Sequence, residues 1–198
     1  MASRHIVLDE IISRLMSTVK LFISSVQKEM AVERRAVADF LRGNALMRRF
    51  FDPFLFEEVP AQDRRADELY LDQVASCDVY VGLFGNEYGC ENATGISPTE
   101  QEFDLATLRY KPRLIFVKGT DDSARHPKMR ALIQRAGNEL IRRRFSSAEE
   151  LVANLYAALI EYLEEKELIR TGPFDSAPCP KAALADLDFS AMTAFVRR

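Results

Sequence analysis

Residues 78–118 read DVYVGLFGNEYGCENATGISPTEQEFDLATLRYKPRLIFVK, and this stretch decides the fold. Its segment 79–84, and residues 114–117 of its segment 113–117, are unbroken apolar runs, which are typical of strands buried on both faces of a parallel sheet. A glycine-rich loop and a helical segment lie between them. The stretch therefore predicts a strand, a loop, a helix and a second strand, which together form one βαβ unit.

The helix in this unit has a well-specified start. Ser97 is a natural N-cap, Pro98 suits the first helical position, and Glu100 completes a capping box. Glu100 therefore has a structural role. Glu102 has no such role, so it is either the candidate functional carboxylate or an exposed carboxylate on the helix surface.

The same alternation extends outward along the chain. Residues 19–24 form a largely apolar run, which predicts a further buried strand. Residues 50–58 predict another strand, and Pro53 within it indicates a position at the edge of the sheet. Residues 140–145 predict a short fifth strand. Since helical patterns separate these segments, we predict a flavodoxin-like three-layer α/β/α sandwich with a five-stranded parallel sheet in the order 2-1-3-4-5.

Helix boundaries follow from caps and prolines. Ser25 is predicted to cap the helix after the first strand, and Pro112 to end the Ser97 helix at Lys111. Ser147 and Glu150 form a second capping box. The helix that follows is predicted to bury one stripe of side chains, namely Val152, Leu155, Tyr156, Leu159 and Leu163.

Three regions are expected along the chain. Residues 1–18 form an N-terminal helix with Leu8, Ile11, Ile12 and Leu15 on one face, and residues 19–168 form the α/β domain. Residues 169–198 hold a linker, because GPFDSAPCP contains three of the eight prolines, and then the start of a truncated C-terminal domain.

Composition excludes several classes of protein. The net charge of −3 gives no general affinity for nucleic acid, and no apolar run approaches the ~20 residues of a membrane span. The three cysteines lie far apart and only two histidines accompany them, which excludes a disulfide framework and predicts no metal site. Reduced cysteines indicate a cytoplasmic protein.

The predicted sheet places a binding site after its strands, because ligands of open α/β sheets bind outside the carboxyl ends of the strands. Ser24 and Ser25 could contact a ligand there or serve as caps and turn residues. Tyr88 could stack on a base or pack on the domain. The remaining binding candidates belong to the glycine loop and the helix start, and are Gly85, Gly89, Ser97 and Thr99.

Three runs resemble a bacterial domain-of-unknown-function family that is grouped with TIR domains and nucleoside 2-deoxyribosyltransferases. They are KLFISSVQKEM (20–30), CDVYVGLFGNEYG (77–89) and SPTEQEFDLA (97–106). The run GPFDSAPCPKAALADLDF (172–189) resembles the beginning of a Schlafen/AlbA-like DNA-binding domain. The second resemblance implies a transcriptional regulator or helicase-related protein that contacts DNA only through a missing C-terminal domain.

The first resemblance implies a catalytic glutamate. Deoxyribosyltransferases carry it in the pattern D-x-G-T-x-x-E-x-G-x-A, and Thr99, Glu102 and Ala106 match its T, E and final A. Asp104 replaces the second glycine, and the leading aspartate is absent. TIR-type NAD hydrolases likewise use a glutamate at the pocket. The resemblance thus implies no cofactor, with NAD or a nucleotide as substrate.

Two hypotheses follow for function. The first is a nucleotide- or NAD-binding regulatory domain with N-glycosidase-type activity, in which Glu102 stabilises or attacks an oxocarbenium-like centre. The alternative is a non-catalytic interaction or assembly module that controls an attached DNA-binding domain. Expected partners are a nucleotide-type small molecule and, as a further hypothesis, other copies of the chain, but no membrane.

Overall fold

The computed structural model describes residues 18–169 apart from 62, 64 and 65. The described residues belong to two compact units, one that ends at Glu161 and one that begins at Tyr162, and the second contains only 162–169 of them. The predicted N-terminal helix and the predicted linker lie outside this range, because residues 1–17 and 170–198 are not described.

The sheet is the one predicted. It contains five parallel strands in the order β2-β1-β3-β4-β5. The central strand β3 is buried along its whole length, as its apolar run indicates. The strands are β1 (Val19–Ser25), β2 (Phe51–Phe54), β3 (Val79–Phe84), β4 (Arg113–Lys118) and β5 (Arg142–Phe145).

Helices flank this sheet and complete the three layers. A 3₁₀ turn at Phe56–Glu58 follows β2. None of the described helices is long and apolar enough to cross a membrane. The helices are α1 (Ala31–Gly43), the four-residue α2 (Met47–Phe50), α3 (Ala66–Ser76), α4 (Pro98–Leu108), α5 (Pro127–Glu139) and α6 (Ala148–Glu165).

One cluster of the core lies between the sheet and helices α3, α4 and α5. There Phe22 stacks on Tyr80, and Phe103 of α4 contacts Tyr80 and Phe84 edge to face. A Cβ on Gly82 would lie 3.0–3.1 Å from the side chains of Ile115, Phe84 and Tyr80. A glycine in the middle of β3 therefore lets these rings pack closely below the helix that carries Glu102.

Two predictions about where elements begin and end are wrong. The strand predicted at 50–58 ends at Phe54, and its second half is the 3₁₀ turn, where Glu57 pairs with Arg34 and Glu58 pairs with Arg42. Ser25 does not cap α1, because it is the last residue of β1 and a turn separates it from the helix.

Two further predictions at helices need correction. Helix α4 ends at Leu108 instead of residue 111, because Tyr110 has a positive φ of 54° and the amide of Lys111 binds the carbonyl of Ala106 at 2.9 Å. In α6, Tyr156 is 41% exposed and does not belong to the buried stripe. Its ring instead contacts Phe40 of α1 edge to face.

Candidate functional site

An open cavity of about 880 Å³ lies beyond the carboxyl ends of β1 and β3. The loops after β1, β3 and β4 and the first turns of α4 form its walls. Such a position is the one expected for a ligand site in an open α/β sheet. Its lining includes Ser25, Gln27, Lys28, Tyr70, Asn86, Tyr88, Gly89, Thr99, Glu102, Arg125 and His126.

Glu102 is the buried carboxylate of this cavity. Together with Thr99 and Ala106 it lies on the buried face of α4, and only 5% of its surface is exposed. The hydroxyl of Ser24 donates a hydrogen bond of 2.5 Å to Oε2 of Glu102. Because Ser24 belongs to β1, this bond ties the central sheet to the helix at the cavity floor.

Burial raises the pKa of Glu102 from its ordinary value of 4.5 to about 7. Loss of hydration is the largest cause, since it penalises the charged form. The hydrogen bond from Ser24 and the positive charge of Arg34 act in the opposite direction and favour the carboxylate. The group is therefore balanced between acid and carboxylate near neutral pH.

Arg34 provides a buried positive charge behind the cavity. It is 2% exposed, and its guanidinium donates to the carbonyl of Ile23 at 2.8 Å and to the hydroxyl of Ser25 at 3.2 Å. Two further bonds of 2.8 and 2.5 Å join it to both oxygens of Glu57. A buried arginine held by a bidentate carboxylate has a fixed orientation, so its field on Glu102 is fixed as well.

The start of α4 forms one wall through Tyr88. Ser97 is fully buried and accepts a hydrogen bond from the amide of Glu100 at 3.3 Å, as predicted for an N-cap. The carboxylate of Glu100 does not return to the amide of Ser97. It accepts a hydrogen bond from the hydroxyl of Tyr88, and the oxygen of Tyr88 accepts the amide of Ser97 at 3.3 Å.

Arg125 also lines the cavity and is 2% exposed. It binds Asp122 at 2.6 Å, the carbonyl of Gly85 at 2.5 Å, and the carbonyl of Lys118. These contacts join the ends of β3 and β4. The next residue, His126, stacks on the ring of Tyr88 with centroids 5.4 Å apart and planes 10° apart.

Comparison with protein families matches residues 20–160 to the "Domain of unknown function (DUF4062)". The chain belongs to the DUF4062 family. This membership confirms the resemblance of the three runs to a domain-of-unknown-function family. It does not extend to the run 172–189, which lies outside the described residues.

Comparison of the DUF4062 domain with other proteins adds little about activity. A search of curated proteins found no match. Among solved structures, a CMP N-glycosidase of Clostridium botulinum, BcmB, is similar with a TM-score of 0.46 and 11% sequence identity. The similarity covers 70% of this chain and 98% of that chain.

The structure brings most of the predicted site residues of this DUF4062 domain together. Five of them line the cavity, namely Ser25, Tyr88, Gly89, Thr99 and Glu102. Ser24 and Ser97 lie behind the lining, where the first binds Glu102 and the second caps α4. Gly85 lies outside the lining and faces the carboxylate of Glu29, which accepts the amides of Asn86 at 2.6 Å and Glu87 at 3.0 Å.

Sequence reasoning missed several cavity residues, among them Lys28, Tyr70, Arg125 and His126. The loop 119–126 follows β4, so its position at the carboxyl edge of the sheet was the available signal for Arg125 and His126. No comparable signal existed for Tyr70. It comes from α3, accepts a hydrogen bond from Gln27 at 3.0 Å, and has its pKa raised by burial and then by the charge of Glu102.

Other kinds of chemistry have little support in the described part of the chain. No group of three or more His, Cys, Asp or Glu side chains is placed there to hold a metal ion. Burial raises the pKa of the Cys77 thiol to about 11, which disfavours the reactive thiolate. Cys90 is exposed and lines the cavity.

Proposed function

We propose that this domain binds NAD or a nucleotide in the cavity and cleaves its N-glycosidic bond, with Glu102 as the reacting carboxylate. One observation carries the proposal. Glu102 is 95% buried at the floor of an open cavity, where its pKa of about 7 lets it exist as a carboxylate at neutral pH. Functional carboxylates with perturbed pKa values are concentrated at such sites.

Cleavage of an N-glycosidic bond passes through an oxocarbenium-like state at the anomeric carbon. The bond to the base breaks, and its electron pair leaves with the base. A carboxylate beside the anomeric carbon either stabilises the positive charge or attacks it, and water then completes hydrolysis. Ser24 holds Oε2 of Glu102 in place, and we assign Oε1 to the contact with the substrate.

The rest of the cavity supports a nucleotide-type ligand. The half-buried ring of Tyr70 offers a surface on which a base can stack, and Phe56 holds this ring by stacking on it. Tyr88 is 3% exposed and packs against His126, so it shapes the cavity wall. Lys28 is exposed at the rim and has no ion-pair partner among the described residues. Its charge is available for a phosphate group.

The alternative is a non-catalytic module that binds a nucleotide or another copy of the chain and controls an attached DNA-binding domain. It uses the same cavity but requires no bond cleavage. The carboxylate would then only contact the ligand, for example the hydroxyls of a ribose. Turnover separates the two proposals.

The test is incubation of the protein at high concentration with NAD and a panel of nucleosides and nucleotides, followed by chromatography of the products. We expect release of a free base or of nicotinamide by the wild type. Glu102→Gln should abolish this release while keeping the fold. Glu100→Gln, the same change two residues away on α4, should retain it. Ligand binding without any product would favour the module, and equal activity of Glu102→Gln would disprove the proposal.

A further inference from the structure

Helices α1 and α6 leave an apolar groove on the face of the domain away from α4. The groove encloses about 480 Å³ and is lined mainly by Ala36, Phe40, Val152, Ala153 and Tyr156, with Asn44 at one end. Val32, which is 70% exposed, extends the same stripe of α1, since positions 32, 36 and 40 are four residues apart. An apolar surface of this kind indicates a binding partner.

The segment that precedes β1 has the pattern that fits this groove. Leu8, Ile11, Ile12 and Leu15 recur at helical spacing, so a helix over 5–17 has a single apolar stripe. Its thirteen residues would span about 20 Å at 1.5 Å per residue, which is enough to lie along several turns of α1. The residues 1–17 themselves lie outside the described part of the chain.

The position of the start of β1 relates this segment to the groove. Lys20 of β1 and Arg42 of α1 line the same small cleft, so the strand begins beside the last turn of α1. Asn44 at the end of the groove is two residues beyond Arg42. A segment that leads into Val19 therefore approaches the domain at the Asn44 end of the groove.

We propose that residues 5–17 of the same chain dock as an amphipathic helix in the groove between α1 and α6. The helix would cover Phe40 and Tyr156 and add a third helix to this face of the sandwich. The proposal does not depend on the proposed enzyme activity, because the groove shares no lining residue with the cavity at Glu102.

The test measures whether the segment protects the groove in the 198-residue chain. Ala153→Cys places a reporter thiol in the groove, in a background where Cys90→Ser and Cys179→Ser remove other thiols that could react. We expect Ile11→Asp with Ile12→Asp to speed thiol labelling at least about tenfold, which corresponds to roughly 1.4 kcal/mol of docking free energy. Ser13→Asp with Ser17→Asp adds the same charge away from the apolar stripe and should leave the protection intact.

Further controls keep the result decisive. Ile141→Cys, at a position 92% exposed, should label fast in every background. If Ala153→Cys does not fold, Glu149→Cys reports on the same groove. Equal labelling in all backgrounds, or equal loss of protection with both pairs of aspartates, would overturn the proposal. Protection that increases with protein concentration would also overturn it and would identify a second copy as the occupant.

Discussion

Folding removes the carboxyl group of Glu102 from water, and this makes the free energy of unfolding depend on pH. The direction is opposite to that of a carboxylate that the fold holds ionised in an ion pair. The pKa of Glu102 rises from 4.5 to about 7, so between these values the folded chain holds a proton that the unfolded chain has released. The free energy of unfolding therefore falls as pH rises from 4.5 through 7. This stabilisation is complete below pH 4.5 and is lost above pH 7.

Glu102→Gln should remove this dependence. The amide is neutral at every pH and can still accept the hydrogen bond from Ser24. We expect the variant to match the wild type at pH 5 and to exceed it at pH 8 by up to about 3 kcal/mol, measured by urea denaturation. Glu100→Gln is the matched control, since its side chain is less buried and should give no gain between pH 5 and pH 8. If Glu102→Gln and the wild type differed in free energy of unfolding by the same amount at every pH, the raised pKa of Glu102 would be contradicted.

Two buried tyrosines should respond in opposite ways to loss of their hydroxyl. The hydroxyl of Tyr80 lies next to Ser24 in the core, but among the described residues no hydrogen bond of normal geometry satisfies it. Tyr80→Phe should therefore be neutral or stabilising by about 1 kcal/mol. Tyr88→Phe should cost about 1–2 kcal/mol, because Glu100 and Ser97 each lose a hydrogen bond.

Thermal unfolding of both phenylalanine variants at one pH provides the comparison. A loss of stability in Tyr80→Phe as large as that in Tyr88→Phe would show that the Tyr80 hydroxyl is satisfied in solution.

At this scale the sequence distinguished Glu100 from Glu102 by the capping pattern alone. It could not predict that Tyr88 would mediate the cap, because the contact depends on the path of the loop between them.

At the scale of single elements, the loop after β3 is held by the carboxylate of Glu29, which lies in the turn before α1. Glu29 accepts the amides of Asn86 and Glu87, and a Cβ on Gly85 would lie 2.3 Å from its carboxylate. Gly85→Ala should displace Glu29 and cost about 1–3 kcal/mol. Gly43→Ala is the control, since nothing lies within 4 Å of a Cβ there and a helix-end alanine is neutral or stabilising.

Chemical denaturation of the two alanine variants measures this difference. Equal stability of Gly85→Ala and the wild type would mean that the Glu29 contact contributes little.

The strands at the sheet centre could be predicted because their apolar runs are continuous. The start of α1 could not be predicted. Ser25 is a residue type that often caps helices, but its hydroxyl accepts a hydrogen bond from Arg34, nine residues later.

At the scale of the whole molecule, the sheet ends in two protected edges. Edge strand β2 contains Pro53, and edge strand β5 exposes Arg142 and Arg143, which oppose pairing with the edge of another sheet. Arg143→Gln should therefore increase aggregation on heating. Arg130→Gln removes the same charge from the exposed face of α5 and should not.

Light scattering during a thermal ramp gives the measurement, with both variants at the same protein concentration. Equal aggregation of the two would assign the effect to net charge and not to the strand edge. The topology could be predicted from alternation of strands and helices. The full cavity could not, because Tyr70, Arg125 and Glu102 come from three separate segments that meet only once the sheet order is fixed.

The phenol of Tyr88 belongs both to the cavity wall and to the cap of the helix that carries Glu102. Occupancy of the cavity and order in the first turn of α4 are therefore thermodynamically linked, and the linkage is reciprocal. A ligand that contacts Tyr88 from the cavity changes the free energy of the helix start. By the same amount, a change at Ser97, which lies behind the cavity wall, alters the affinity for that ligand.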